Sequence, residues 1–495
     1  MTDMNISNEI EQPRISLIDV EETSKLQNYL KKKKMKRYLL LLGLFLLIIL
    51  LIIIIVIIIK AKKNDSNDKK GDKEKLYLNI ITAKYFTNNE NETIKLINNN
   101  INNILDIKLF INKEEKKFLD EYKYNFNETN EYLVEFKFNN ELKNISELFM
   151  NIVNLKEIDL TGIRSNNIKY MDKLFYQCSS LEKINLNYLE TSNLESAISM
   201  FEGCQNLVEL NMINFITSKI KSTSKMFSNC INLKKINIDY FDLTKTEDAS
   251  KMFESCNLLE EIILKNDKES SAINMKSIFT KCNSLKKINL DKFEKKNITA
   301  MDYMFNSCYS LEKIDLSKFD TREATSLYST FSNCSLIKSL DTTCLNTSNI
   351  NSMSYAFRNC SSLTSIDLSN FDFRKVEGIK GFFFRCSSLE SVIIDNYEIN
   401  ASDMSEFFCG CSSLKNVTIN VGRSIKVDRF FKECDSLEYI DLSKFYGINV
   451  TFYSDFFPVN VENATILYNS SIIGHLLSRI PKGWNKIDIN NNIFY

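Results

Sequence analysis

Met304-Phe305-Asn306-Ser307-Cys308-Tyr309-Ser310-Leu311-Glu312-Lys313-Ile314-Asp315-Leu316-Ser317-Lys318-Phe319-Asp320-Thr321 is one copy of a pattern, F-x-x-C-x-x-L-x-x-I-x-L-x-x-F, that recurs between residues 148 and 445. Its first Phe returns at Phe149, Phe175, Phe201, Phe227, Phe253, Phe279, Phe305, Phe331, Phe357 and Phe383, always 26 residues on. Phe408 and Phe431 follow after steps of 25 and 23, making twelve copies. A fixed period of this length is the signature of a solenoid.

The apolar residues of one copy define its elements. In the second copy Ile184 and Leu186 are two apart and share one face of a strand. Leu174, Phe175, Cys178 and Leu181 are spaced by threes and fours, which predicts one or two short helical turns. One strand and one short turn cannot bury an apolar side alone. Stacked copies bury it continuously, with their strands in one parallel sheet at roughly 4.8 Å per copy. The expected fold is therefore an α/β solenoid.

The recurring M-F-x-x-C-x-S-L-x-x-I-x-L-S-x-F-D-T, seen again from Phe357 through Asp372, resembles the leucine-rich repeat of BspA-like surface proteins over about three-fifths of the chain. The resemblance implies a curved solenoid used for adhesion and binding rather than catalysis. The first copy departs from the pattern with Ile152 in the Cys column, and the fifth with Asp267 in the second Phe column.

The 495 residues carry a formal net charge of zero, which argues against nucleic acid as the main partner. Residues 1–37 read as a polar cytoplasmic tail ending in Lys31-Lys32-Lys33-Lys34-Met35-Lys36-Arg37. Tyr38–Ile59 is uncharged and long enough to span a hydrocarbon core, so it reads as a single transmembrane helix and uncleaved signal anchor. The basic flank before it favours the N-terminus inside the cell, a type II membrane protein with repeats extracellular or luminal. Residues 60–74 read as a stalk, 75–143 as a β-rich N-terminal cap, 144–447 as the repeats and 448–495 as a C-terminal cap. In the last of these, Pro481-Lys482-Gly483 marks a turn and Trp484 plugs the last copy.

Eleven of the thirteen cysteines occupy one column: Cys178, Cys204, Cys230, Cys256, Cys282, Cys308, Cys334, Cys360, Cys386, Cys411 and Cys434. Disulfides between neighbouring copies are within reach, but eleven equivalent thiols cannot all pair. A zinc site needs converging ligands, and a column diverges along the stack. The expectation is a ladder of buried thiols acting as small hydrophobes. Cys344 and Cys409 lie off the column and are the candidates for a reactive thiol.

The chain has one His, His475, which removes Ser-His-Asp and Cys-His chemistry from the repeats. No Gly-rich phosphate loop appears, and no metal, cofactor or enzymatic activity is expected. The exposed strand face carries the functional expectation. Glu157, Lys183, Glu209, Lys235, Glu261 and Lys287 alternate in sign and form a self-neutralising ladder. In copies seven to nine, Ser339, Ser365 and Ser391 replace the long charged residues beside Asp315, Asp341 and Asp367. Ser317, Thr343 and Ser369 line the next column. These nine residues are the candidate ligand-contacting patch.

Thirteen N-x-S/T triplets follow residue 60, and Asn91, Asn127, Asn144, Asn297, Asn346, Asn400, Asn449 and Asn463 are candidate glycosylation sites. The reading is a membrane-anchored leucine-rich-repeat protein that recognises a protein or glycan ligand on another cell or matrix. Its alternative is a cytosol-facing interaction scaffold on an internal membrane.

Overall fold

The computed structural model describes residues 78–98, 107–238, 241–266, 273–293, 296–422, 426–446, 454–473 and 476–490. The tail 1–37, the apolar stretch 38–59, the stalk 60–74, Asp267, Asn449 and His475 lie outside the described residues.

The segment around each repeat Phe is a run of tight turns. In the fourth copy, the amides of Met226, Ser228, Cys230 and Leu233 each donate to the carbonyl three residues back. The amides of Lys225, Phe227 and Asn229 instead donate to the carbonyls of Ser250, Met252 and Glu254 in the next copy. This alternation needs left-handed backbone on either side of the Phe, at Lys225 (φ 56°) and Asn229 (φ 59°). The same two positions are left-handed from Glu147 and Asn151 to Arg429 and Glu433. A helix commits nearly every amide to its own segment. Here every second amide is given to the neighbouring copy.

A short strand follows the turn run in the other copies, whereas in the seventh Leu316–Lys318 forms a 3-10 turn that leads into the short strand Phe319–Asp320. Lys235–Asn237 pairs in parallel with Glu209–Asn211. Ser339–Leu340 pairs with Ser365–Ile366, and Asn416–Val421 with both Ser391–Ile399 and Tyr439–Leu442. The chain returns through further turns closed by Phe241 to Ile238 and Thr246 to Leu243. Single parallel bridges, Ser196 to Ser222 to Asp248, then join the copies on that side.

These contacts make a β-solenoid of about eleven turns, and they correct the expectation of an α/β solenoid with short helical turns. The three-and-four spacing that suggested helix is produced by the successive turns. The α-helix found among the described residues is Ser470–Ile473, beyond the repeats. The expected transmembrane helix ahead of the repeats is likewise without support: Tyr38–Ile59 lies outside the described residues, and no helix among the described residues is long and apolar enough to cross a membrane.

The core is a set of ladders. The twelve repeat phenylalanines stack with ring centroids 5.3–5.8 Å apart and planes within 5–20°. The residue before each Phe is Met200, Met226 and Met252 in early copies. It becomes Phe382, Phe407 and Phe430 later, and these continue to Phe456 as a second stack at 5.4–5.5 Å.

Both ends of the stack are continued by other strands. Asn79–Phe86 pairs antiparallel with Glu131–Phe138 on one side and with Leu155–Asp159, the strand of the first copy, on the other. Ile107–Ile111 and Glu114–Lys116 extend this sheet, and Glu92–Lys95 with Lys123–Phe126 forms a separate antiparallel pair. At the far end Thr465–Tyr468 and Asn485–Asp488 extend the parallel sheet of Ser391–Ile399, Asn416–Val421 and Tyr439–Leu442, and strand pairing along the stack is divided among several such sheets rather than the one expected. Trp484 is buried there, its indole N–H donating to the Val461 carbonyl at 3.0 Å and its ring 5.3 Å from Phe457.

Candidate functional site

Alternation along each strand sends Ile158, Leu210 and Ile262 inward and leaves the residues between them exposed or half-buried. On this outer face the charge ladder is formed. Lys183 meets Glu157 at 3.1 Å, Lys235 meets Glu209 at 3.6 Å and Lys287 meets Glu261 at 3.7 Å. Lys84, on the adjoining antiparallel strand, also reaches Glu157 at 3.1 Å.

Over this end of the face lies a groove of about 1180 Å³, lined among others by Lys84, Leu133, Asp159, Asn185, Val208, Asn211 and Asn237. Sequence reasoning missed it. The groove exists because strands near residues 82–84 and 133 are brought beside residues 157–237, a pairing no local pattern announces. The available signal was Val208, an apolar residue in a column otherwise held by Lys156, Glu182 and Lys234. It is 41 % exposed and lines the groove.

The nine residues singled out, which run from the seventh copy to Ser391 at the start of the tenth copy's strand, are all exposed. Ser339 stands opposite Ser365, and Ser391 opposite Asn416. The aspartates close their own turns. Asp315 accepts from the Ser317 amide at 2.9 Å and hydroxyl at 2.6 Å, and Asp341 from Thr343 at 3.0 and 2.6 Å. Asp367 accepts from the Ser369 amide at 2.8 Å. The Thr343 hydroxyl and amide hold the Asp341 carboxyl below its usual range, and the Ser369 amide and hydroxyl do the same for Asp367. Asp159 and Asp441 make the same turn elsewhere in the column, to Thr161 and Ser443. The motif D-x-S/T is thus a rung-closing device that also fixes the direction of each carboxylate.

The cysteine column does more than fill space. Each of its eleven thiols donates to the carbonyl of the Phe in the preceding copy at 2.9–3.2 Å, from Cys178 to Phe149 through Cys434 to Phe408. Ile152 begins the column, where no earlier repeat Phe exists to accept. The thirteen cysteines form no disulfide. Burial pushes the thiols of Cys178 and Cys230 up to about 12. Of the off-column pair, Cys409 is buried and raised to about 11, chiefly by that burial, which makes it a poor nucleophile. Cys344 is half-buried beside the Asp341 carbonyl.

Of the candidate glycosylation sites, Asn91, Asn127, Asn144, Asn346, Asn400 and Asn463 are exposed. Asn91 and Asn463 occupy left-handed turn positions. Asn297 is half-buried within the strand Lys296–Ala300, and its side-chain oxygen is buried.

A family profile described as "Mycoplasma protein of unknown function, DUF285" matches residues 143–266, 231–340, 273–397 and 340–420, which together run unbroken over more than half of the chain. The chain belongs to the DUF285 family. No curated protein matches this DUF285 chain in sequence. Among solved structures, it is similar to a chain of the Toll–Spätzle complex of Drosophila at 12% identity and a TM-score of 0.26, covering 65% of this chain and 48% of that one. It is also similar to a leucine-rich-repeat protein of Leptospira interrogans at 14% identity and a TM-score of 0.22, covering 68% and 90% respectively. A further likeness, to the APL1 leucine-rich-repeat domain, has 12% identity and a TM-score of 0.19, covering 71% and 89%. The DUF285 chain thus spans about half the length of the Toll-complex chain it matches.

Proposed function

We propose that this chain is a non-catalytic recognition scaffold that holds a protein or glycan ligand against the outer face of its strands, in an adhesive setting with the repeats extracellular or luminal. The observation that carries the reading is the groove of about 1180 Å³ on that face, where asparagine side chains, paired charges and the exposed Val208 converge. Such a mixture of an apolar spot with a polar surround is the make-up of an interface. The rigid Asp341 and Asp367 turns extend the same face towards the C-terminal copies. The resemblance of the repeat to BspA-like surface proteins supports the adhesive setting, and the exposed N-x-S/T sites support the compartment.

The test is adhesion of beads carrying the full-length chain to intact cells and to extracted matrix. Asn211→Arg with Asn237→Arg, and separately Asp341→Lys with Asp367→Lys, are compared with Arg322→Ala on the return segment. Loss of adhesion in the strand-face variants, with the Arg322 variant unchanged, supports the reading. Equal adhesion in all of them overturns it. A glycosidase-induced mobility shift of the native chain tests the compartment, and an unshifted chain would move the ligand to the cytosol.

A further inference from the structure

A second groove, of about 680 Å³, runs across the copies on the turn edge, four residues ahead of each strand. Its floor is a ladder of hydroxyls. Ser335 donates to the Tyr309 carbonyl at 3.2 Å, Ser361 to Ser335 at 3.5 Å, Ser387 to Ser361 at 3.3 Å and Ser412 to Ser387 at 3.3 Å. Each hydroxyl spends its one hydrogen on the stack, which leaves its oxygen as an acceptor facing the groove. The acceptors recur at the copy spacing of roughly 4.8 Å.

The walls are set by the left-handed position just before each Cys. The Asn359 amide donates to Asn333 at 2.7 Å, so both side chains are held along the wall. Arg385 comes next and lies across Gly410. A Cβ at Gly410 would stand 2.8 Å from the Arg385 Cγ, so the absent side chain is what opens the groove there. The Arg385 guanidinium rests 5.2 Å over the Phe384 ring. Tyr309, 46 % exposed, closes one end, and the exposed Glu433 and Asp435 close the other.

This arrangement selects a ligand class. A row of acceptors with two carboxylates calls for a ligand rich in O–H donors. A polyphosphate would meet those carboxylates and hydroxyl oxygens with a single guanidinium to offset them. An apolar peptide would leave the acceptors unmet. We propose that the groove binds a linear oligosaccharide laid across the copies, with Tyr309 as the platform for a sugar ring. The serine oxygens and Glu433 and Asp435 accept its hydroxyl protons, and Arg385 donates to its oxygens. This site is separate from the strand face.

The experiment is isothermal titration of the full-length chain with three neutral probes: chitohexaose, cellohexaose and mannohexaose. At least one saturates at one site per chain. Tyr309→Ala and Asp435→Ala, both on exposed side chains, each weaken it by about tenfold, the loss of one stacked or hydrogen-bonded contact. Asn211→Arg on the strand face leaves it unchanged. Absence of binding by all three probes overturns the proposal, as does binding that survives Tyr309→Ala together with Arg385→Ala.

Discussion

The thiol ladder makes a demand that mere packing would not. Cys230 is fully buried and its Sγ lies 3.1 Å from the Phe201 carbonyl, which also accepts the Cys204 amide at 3.1 Å. Alanine at this position removes buried sulfur, about 0.8 kcal/mol by analogy with a methylene, and leaves a small cavity worth about as much again. It also forfeits the thiol hydrogen bond, about 0.5 kcal/mol for a weak donor. The sum is about 2 kcal/mol, and no carbonyl is orphaned because the Cys204 amide remains. Valine loses the donor and adds a methyl group to a packed column, so lost hydrogen bonding and overpacking together should cost about 1–3 kcal/mol. Urea unfolding followed by far-ultraviolet circular dichroism, with the slope checked for constancy across the three chains, measures both values. A valine variant as stable as the native chain would refute the hydrogen-bonding role and return the column to simple packing.

Thiol labelling of the native chain should modify Cys344 ahead of the eleven column cysteines, which are buried out of reach of the reagent, whereas all thirteen should react in denaturant. Rapid native labelling of Cys230 would contradict the buried ladder. The hydrogen bonds that depress Asp341 and Asp367 stabilise the fold above the ordinary carboxylate range, and that contribution is lost as pH falls through their lowered folded values. Thr343→Val should therefore move the Asp341 titration upward in an NMR pH series, and an unmoved titration would count against the turn. Gly410→Ala places a side chain at φ +79° and against Arg385, so it should lower stability by about 1–2 kcal/mol in the same urea assay. A neutral result there would mean that the wall at Arg385 gives way freely.

The period, the strand positions and the inward columns were legible because each is a one-dimensional regularity. Ile184 and Ile236 repeat in register whatever the turns between them do. The turn run was misread for a physical reason. Phe175, Cys178 and Leu181 have helical spacing, but spacing alone does not tell a helix from successive turns bonded to the next copy. The signal that separates them is the residue before each Cys. Gly203, Asn229, Asn333, Asn359 and Gly410 crowd a position where left-handed backbone is needed. The larger groove was illegible because it depends on the pairing of Asn79–Phe86 with Leu155–Asp159, a long-range antiparallel contact. The polar patch of copies seven to nine could be located from sequence, yet the use of its aspartates as turn closures could not be seen until Thr343 and Ser369 were placed.

The turn run also gives the molecule an electrical axis. In the second copy the amides of Lys173, Phe175 and Gln177 all point to the following copy, and the carbonyls of Asp172, Leu174 and Tyr176 all point to the preceding one. Three peptide dipoles per copy are thus parallel and add along the stack, as they do in a helix, whereas the dipoles of neighbouring strands largely cancel. The stack is negative at its first copy and positive at its last. Its two ends therefore require opposite chemistry. The Asn98 amide supplies a donor to the Leu148 carbonyl at the first end, 2.8 Å away, and the carbonyls of Ser454 and Phe456 supply acceptors to Arg429 and Phe431 at the other. An end segment taken from one side and grafted onto the other would present like charge to like, so the polarity of the column dictates which sequence can terminate it.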